Sequence, residues 1–360
     1  MTTSPLTLSV VLATYSRAEV LRRTLRHLAD QTLNPASYEV IVIDDGSPDH
    51  TQEVVAQAIS EAPCRITSLR HDNSGPGYTQ NRGIRQAAAP LILLLADDII
   101  LTRGALEAHV AAHARHPDRA TAILGNVRQS PELQQSVFQR NWDPFELRRL
   151  QQDQELPYWL FWACNISLKR DFMLEHGMFR DARGRAGAAA HEDVELGHRL
   201  SKHGVRIFHE KAALGYHYHE ESLETAIARS RQRGLNWEEA FQHMPQPELL
   251  IRQRLYDLGT LIAHRRELTG ERRRYLLGAE RSMAILAVHS IRRGMLFNKV
   301  TVPVFWRPLM HLAERNRLVA RLMRPPFYRG VIVYYFRKAC REAQDASITV
   351  PDSSVVRRNQ

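Results

Sequence analysis

Three pairs of adjacent acids stand out in the 360-residue chain: Asp44-Asp45, Asp97-Asp98 and Glu192-Asp193. Adjacent carboxylates repel, so a pair that directly follows an apolar run points to a binding site more than to a simple turn. Such groups supply oxygen ligands to a hard divalent cation, or accept a proton as a general base. Acids at a helix start, where Glu192-Asp193 stands, also simply suit the helix dipole. In Tyr-His-Tyr-His, His217 and His219 alternate, so on a strand both rings point to one side. They are either ligands or ordinary surface residues. Arg17, in Ala-Thr-Tyr-Ser-Arg, is a positive fork that suits an anion, or else a solvated first-turn arginine.

These residues need a scaffold that gathers them, and the first half of the chain reads as one. Residues 8–13 and 38–44 are strands rich in β-branched residues and apolar on both faces, as in a covered parallel sheet. Between them Leu21, Leu25 and Leu28 recur at helical spacing. A second helix is expected over 49–60 with Val54, Val55, Ala58 and Ile59 inward, then a weaker strand at 65–70. A Gly/Pro loop at 73–77, a helix at 78–89 and the wholly apolar strand LILLLA at 91–96 follow. The pattern is an α/β, Rossmann-like doubly wound sheet with LILLLA central, in which ligands bind beyond the carboxyl ends of the strands. Thr14 to Arg17, Asp44-Asp45 and Asp97-Asp98 all fall there. No Gly-x-Gly-x-x-Gly follows the first strand and no P-loop occurs, which argues against a nicotinamide dehydrogenase and a P-loop ATPase.

The strings SVVLATYSR, VIVIDDGSPDHT, NSGPGYTQNRGIRQA and LILLLADDI, followed later by HEDVELGHRL, resemble family 2 of the glycosyltransferases, which have the GT-A fold. The resemblance covers residues 8–234 and implies an inverting transfer of a sugar from a nucleoside-diphosphate sugar, a UDP-sugar first, to a hydroxyl. The acceptor it implies is a glycan or a lipid-linked glycan precursor. A departing diphosphate must be stabilised, so Mn²⁺ or Mg²⁺ is expected. By the family pattern Asp98 is the metal ligand, with His219 and His217 as further metal or diphosphate ligands, and Asp97 contacts ribose or the metal's second shell. Ala13, Tyr15, Arg17 and Asn81 fall in segments that hold the nucleotide. Asp45 hydrogen-bonds the uracil, with Asp44 the alternative. Asp193 is the catalytic base, with Glu192 its neighbour or an acceptor contact. Trp162 and Asn165 fall on the acceptor side, although Trp159 and Trp162 read equally well as core. Two departures stand out: Ala96 replaces the family's commoner first aspartate, and Gln80 replaces the arginine before Asn81.

The net charge of +10 is uneven. Residues 1–220 hold 24 Lys+Arg against 26 Asp+Glu, and residues 221–360 hold 25 against 13. The expected domains are therefore a GT-A catalytic domain (1–220), a basic helical region (221–345) and a disordered tail (346–360). Apolar recurrence at 249–262 and the runs Arg265-Arg266 and Arg272 to Arg274 mark the second region. Arginine interleaved with bulky apolar residues is what an in-plane helix presents to an anionic bilayer, with Phe305, Trp306, Phe327, Tyr334 and Tyr335 adding burial. A plain helical cap is the alternative, and no nucleic-acid motif accompanies the charge. No apolar run is long enough to span a bilayer. Three distant cysteines (Cys64, Cys164, Cys340) suggest a reducing compartment, and the start lacks a signal peptide. The expected place is the cytoplasm, peripheral at the inner face of the cell membrane. Two other functions fit less well: a nucleotidyltransferase, which lacks its glycine-rich basic loop here, and a non-catalytic membrane-associated scaffold, against which the intact acids argue.

Overall fold

The structure, a computed structural model, describes residues 5–133, 136–145, 147–180, 191–236 and 283–349. The glycine-rich stretch 181–190, the apolar recurrence at 249–262, the arginine runs at 265–274 and residues 350–360 lie outside them. The described residues form two compact units, one within 1–134 and 143–220, the other within 135–142 and 221–360.

In chain order the elements begin β1 (Leu8–Thr14), α1 (Ala18–Ala29), β2 (Tyr38–Asp44), α2 (Thr51–Glu61), β3 (Arg65–Arg70), α3 (Pro76–Gln86) and β4 (Leu91–Ala96). There follow β5 (Ile99–Leu101), α4 (Ala105–Arg115), β6 (Thr121–Gln129), α5 (Val137–Asn141), β7 (Glu155–Leu156), β8 (Asn165–Lys169), α6 (Arg170–His176), α7 (Glu192–Ser201) and β9 (Arg206–His217). The second unit adds α8 (Leu223–Leu235), α9 (Met283–Leu296), α10 (Arg307–Arg315), α11 (Arg317–Leu322) and α12 (Pro325–Thr349). α12 is helical to Thr349 and so includes residues 346–349 of the expected tail.

The sheet runs β3-β2-β1-β4-β8-β6-β9-β5, with β7 on β9. β3, β2, β1 and β4 are mutually parallel and β6 is parallel to β9, while β8 runs antiparallel to both its neighbours. β1, β2 and β4 are buried almost throughout because helices cover both faces, which explains their unbroken apolar composition. Leu21, Leu25 and Leu28 bury one face of α1, and Val54 and Val55 do the same on α2. Ile59 is 46% exposed, against the inward position expected for it.

Deep between α4 and β8 lies a polar chain whose hydrogens can be assigned. Asn165 Nδ2 donates to the Ala213 carbonyl (2.9 Å), so Oδ1 is the atom facing His109 Nε2 at 3.0 Å. That nitrogen must donate, which leaves His109 Nδ1 to accept from the Ser167 hydroxyl at 2.8 Å. Ser167 in turn accepts from His113 Nε2 at 3.0 Å. Gly125 makes room, since a Cβ there would sit 2.2 Å from Asn165 Nδ2. Both imidazoles are held neutral, burial pushing His109 down to about 4 and His113 to about 3.

In the second unit Leu223, Ile227, Trp306, Met310, Tyr328 and Val331 form a core joined by Val137 and Phe138 of α5. The α5 N-terminus is capped by Glu314, which accepts from Val137 N (2.8 Å) and Phe138 N (2.7 Å). Among the described residues no helix is long and apolar enough to cross a membrane.

Candidate active site

The carboxyl ends of β1 and β2 are tied into one rim. Ser16 takes a left-handed turn (φ 54°) and donates its N–H to Ser47 Oγ at 2.9 Å, and Ser47 N donates to Asp44 Oδ1 at 2.8 Å. Gln52 Nε2 donates to Asp44 Oδ2 at 2.6 Å, and Arg70 lies 3.4 Å away. Asp44 is thus fully buried and occupied as a turn-former. Gly46 (φ 80°) lets the chain pass His71–Asn73: a Cβ there would stand 2.9 Å from Asn73 N. Asp45 accepts from Ser74 N (2.7 Å) and Gly75 N (3.0 Å), and retains further lone pairs. It borders a cleft of about 350 Å³ lined also by Ala13, Thr14, Tyr15, Arg17, Asn73, Pro76, Thr79 and Asp97.

The acid pair after β4 is the most charged part of this rim. Thr14 Oγ1 donates to Asp97 Oδ2 at 2.7 Å, while Arg17 spans both acids, at 2.9 Å from Asp97 Oδ1 and 2.8 Å from Asp98 Oδ2. The two carboxyls diverge. Burial pushes Asp97 up to about 6 against the opposing charge of Arg17. Burial acts on Asp98 as well, but there the His217 imidazole and the charges of Arg17 and His219 prevail, holding it down at about 2.

His217 ends β9 and His219 follows two residues on, their rings stacked with centroids 5.4 Å apart. His217 Nε2 is 3.6 Å and His219 Nδ1 3.7 Å from Asp98 Oδ2, with the three ligand atoms all within 4.8 Å of one another. Gln129 Nε2 donates to the His219 carbonyl (3.1 Å), so Gln129 Oε1 faces His217 Nδ1 at 3.1 Å. Nδ1 therefore carries a hydrogen, and Nε2 is the nitrogen that faces Asp98 and would ligate a metal held there. The separations are longer than hydrogen bonds and leave space for a cation.

Glu192 and Asp193 open α7, and Asp193 Oδ1 accepts from Val194 N at 2.8 Å. A β-carbon built on Gly77 would lie 3.0 Å from Glu192 Oε2, which puts that acid beside the start of α3. The half-buried Cys164 thiol is pushed up first by desolvation, then by the charges of Asp193 and Asp98 together. Both carboxylates therefore act on one neighbourhood. Trp162 packs edge-on against Phe145 (5.8 Å), and Phe145 against His217 (5.1 Å), linking Trp162 to the histidine pair. Trp159 is buried.

Two expected contacts are elsewhere. Asn165 is fully buried in the α4–β8 chain, its amide spent on His109 and Ala213, and it is no acceptor contact. Asn81 clamps Phe179, donating to its carbonyl (2.8 Å) and accepting from its N–H (3.0 Å), so it fastens α3 rather than facing a diphosphate. Sequence reasoning missed Gln129, Phe145 and Cys164. No local motif marks them, since each matters only through a partner distant in the chain.

Residues 9–175 match the domain family described as Glycosyl transferase family 2. The chain carries a family 2 glycosyltransferase domain. It is 36% identical over 228 residues to validoxylamine A glucosyltransferase of Streptomyces hygroscopicus subsp. limoneus, covering 55% of this chain and 48% of that protein. It is 34% identical over 101 residues to a GalNAc(5)-diNAcBac-PP-undecaprenol beta-1,3-glucosyltransferase of Campylobacter jejuni, covering 28% of this chain and 32% of that one. The chain thus spans about half the length, or less, of these curated relatives. Among solved structures, a mannosyltransferase from Pyrobaculum calidifontis in complex with GDP-Man and Mn²⁺ superposes with a TM-score of 0.55 at 14% identity, over 97% of this chain and 89% of that one. The fold of the family 2 domain is GT-A, as the sequence resemblance implies.

Proposed function

We propose that the chain is an inverting, metal-dependent glycosyltransferase. It takes a sugar from a nucleoside-diphosphate donor, UDP first, and places it on a hydroxyl of a glycan or lipid-linked glycan precursor. The observation that carries this reading is Asp98 Oδ2 facing Nε2 of His217 and Nδ1 of His219, next to a cleft lined by Arg17, Asp45 and Asp97. One carboxylate and two imidazoles fit a divalent ion, and the mixed oxygen and nitrogen set suits Mn²⁺ better than Mg²⁺. Held there, the ion would offset the negative charge of the departing diphosphate.

The chain's own groups do the rest. Asp45 is an acceptor for an N–H of the base, and Tyr15, 48% exposed, offers it a ring face. Asp97 serves the ribose. Arg17, which now bridges two acids, gains a second anion when a diphosphate arrives. Asp193, in the first turn of α7 where the helix dipole favours the ionised form, accepts the proton of the acceptor hydroxyl. The hydroxyl oxygen bonds to the anomeric carbon as the bond to the diphosphate oxygen breaks, and that electron pair leaves with the nucleoside diphosphate. Glu192 and Trp162 lie on the acceptor side. In this reading residues 1–220 catalyse, and residues 221–345 hold the enzyme at the cytoplasmic face of the membrane. A similar polypeptide is named for a polyprenol-linked acceptor and another for a small one, so both classes belong in the acceptor screen.

Calorimetry of UDP and GDP with and without Mn²⁺, with a hydrolysis screen of their sugars, tests the reading. Tight UDP binding that needs Mn²⁺ and is abolished by EDTA is expected. Nucleotide affinity indifferent to Mn²⁺ and EDTA would overturn the metal assignment.

A further inference from the structure

We propose that α9, α10, α11 and the turns joining them form a docking surface for an anionic phospholipid bilayer. The inference rests on the membrane attachment proposed above for residues 221–345 and narrows it to one surface, but it stands apart from the reaction, since it uses only the second unit.

Of the thirteen large apolar side chains exposed among the described residues, ten fall between Val288 and Leu322. Water-facing apolar residues are ordinary when scattered, but a local concentration marks an interaction surface. They also share helix faces. Val288, Ile291 and Met295 follow one another at spacings of three and four on α9, and Leu318 and Leu322 are four apart on α11. Met295, Val304, Leu318 and Leu322 are each at least 70% exposed.

The charge of the same stretch selects the occupant. Residues 283–324 hold eight Lys+Arg and a single acid, Glu314. Glu314 is engaged at the α5 N-terminus. Arg292, Lys299, Arg315, Arg317, Arg321 and Arg324 are all exposed around the apolar residues. A second copy of this surface would set like charges against each other, which disfavours self-pairing. Single-stranded nucleic acid calls for aromatic stacking platforms, and the exposed residues here are aliphatic except Phe305. An anionic leaflet satisfies both features at once, with headgroups for the bases and an acyl boundary for the aliphatic side chains. The structure also revises which residues would enter. Trp306 is buried, sandwiched between Phe297 and Phe327 with its Nε1–H on the Leu296 carbonyl (2.6 Å), and Tyr334 and Tyr335 pack against the unit's core. The inserting side chains are instead the aliphatic ones and Phe305.

Flotation of the full chain with vesicles of phosphatidylcholine alone, or with phosphatidylglycerol added, tests this. Flotation should occur with the anionic vesicles and be lost in high salt. Leu318→Glu with Leu322→Glu, and separately Arg317→Glu with Arg321→Glu, should each weaken it by about tenfold or more, since each basic residue at the leaflet is worth about a factor of five. The melting temperature and Mn²⁺-dependent nucleotide affinity should not move, because all four side chains are exposed or half-buried on one short helix. The proposal is overturned if the full chain stays unbound to anionic vesicles, if both variants bind like the parent, or if the substitutions instead abolish a dimer seen by light scattering. Tighter binding to an oligonucleotide than to the vesicles would assign the surface to nucleic acid instead. A failed nucleotide titration with intact flotation would sink the enzymatic reading and leave this one standing.

Discussion

The chain of His109, His113, Asn165 and Ser167 and the group of Asp97, Asp98, His217 and His219 are both built from four polar side chains that the fold brings out of distant sequence. In the first, each donor meets one acceptor in a single direction, both histidines are neutral, and the amide of Asn165 ends the chain on a backbone carbonyl. In the second, two acids sit side by side against one arginine, and two imidazoles aim at the same carboxylate oxygen. Burial alone therefore does not separate structural from functional polarity. The core chain cancels its own hydrogen-bonding demand, while the cleft group holds charge that an added cation and an anionic donor would complete.

Four substitutions or conditions sharpen that contrast. Asp98→Asn should have the largest effect, a fall in turnover of about 10³-fold, the scale of losing one electrostatic stabiliser. Calorimetry should show Mn²⁺-dependent nucleotide binding gone, with unfolding by urea little changed, because relieved repulsion with Asp97 offsets the lost Arg17 contact. An unaltered Mn²⁺ requirement would move the metal elsewhere. Asp193→Asn should cut turnover by about 10²-fold with donor affinity intact, as for removal of a general base. Near-normal turnover would transfer the role, most directly to Glu192.

The core chain should respond in stability instead. Asn165→Ala leaves the His109 Nε2–H and the Ala213 carbonyl unpaired, and should cost about 2–4 kcal/mol in urea unfolding while leaving nucleotide affinity within error. Lost acceptor turnover at full stability would restore the acceptor contact that the sequence resemblance implies for it. The smallest effect is on pH. His109 and His113 titrate near 4 and 3 in the folded protein, against about 6.5 when unfolded. Between these values the unfolded chain binds more protons, so stability falls as pH drops from 6.5 toward 4, by about 1.4 kcal/mol per pH unit for each histidine. His113→Gln should flatten that slope by one histidine's share, read from urea melts at pH 7 and pH 5. An unchanged slope would show that the chain is open to water.

The parallel half of the sheet was legible in the residues because its strands are covered on both faces and must be apolar at every position. LSVVLA, YEVIVID and LILLLA have no other comfortable environment. The acids at their carboxyl ends were legible for the complementary reason, since charge directly after a buried strand demands a use. β8 was less so: its Asn165 and Ser167 break the apolar run, and only the histidines of α4 packed above them make that tolerable.

Sequence alone thus determined the α/β scaffold, the acid pair, and the one-sided placement of His217 and His219, because burial and the two-residue period of a strand act locally. Tertiary structure decided what no spacing encodes. It turned Asn165 and Asn81 inward by giving their amides partners 48 and 98 residues away. It oriented His217 through Gln129, 88 residues away. It buried Trp306 while leaving Leu318 and Leu322 in water. A side chain's role follows from which unmet hydrogen bond or apolar face lies opposite it, and that partner is chosen only when the chain closes on itself.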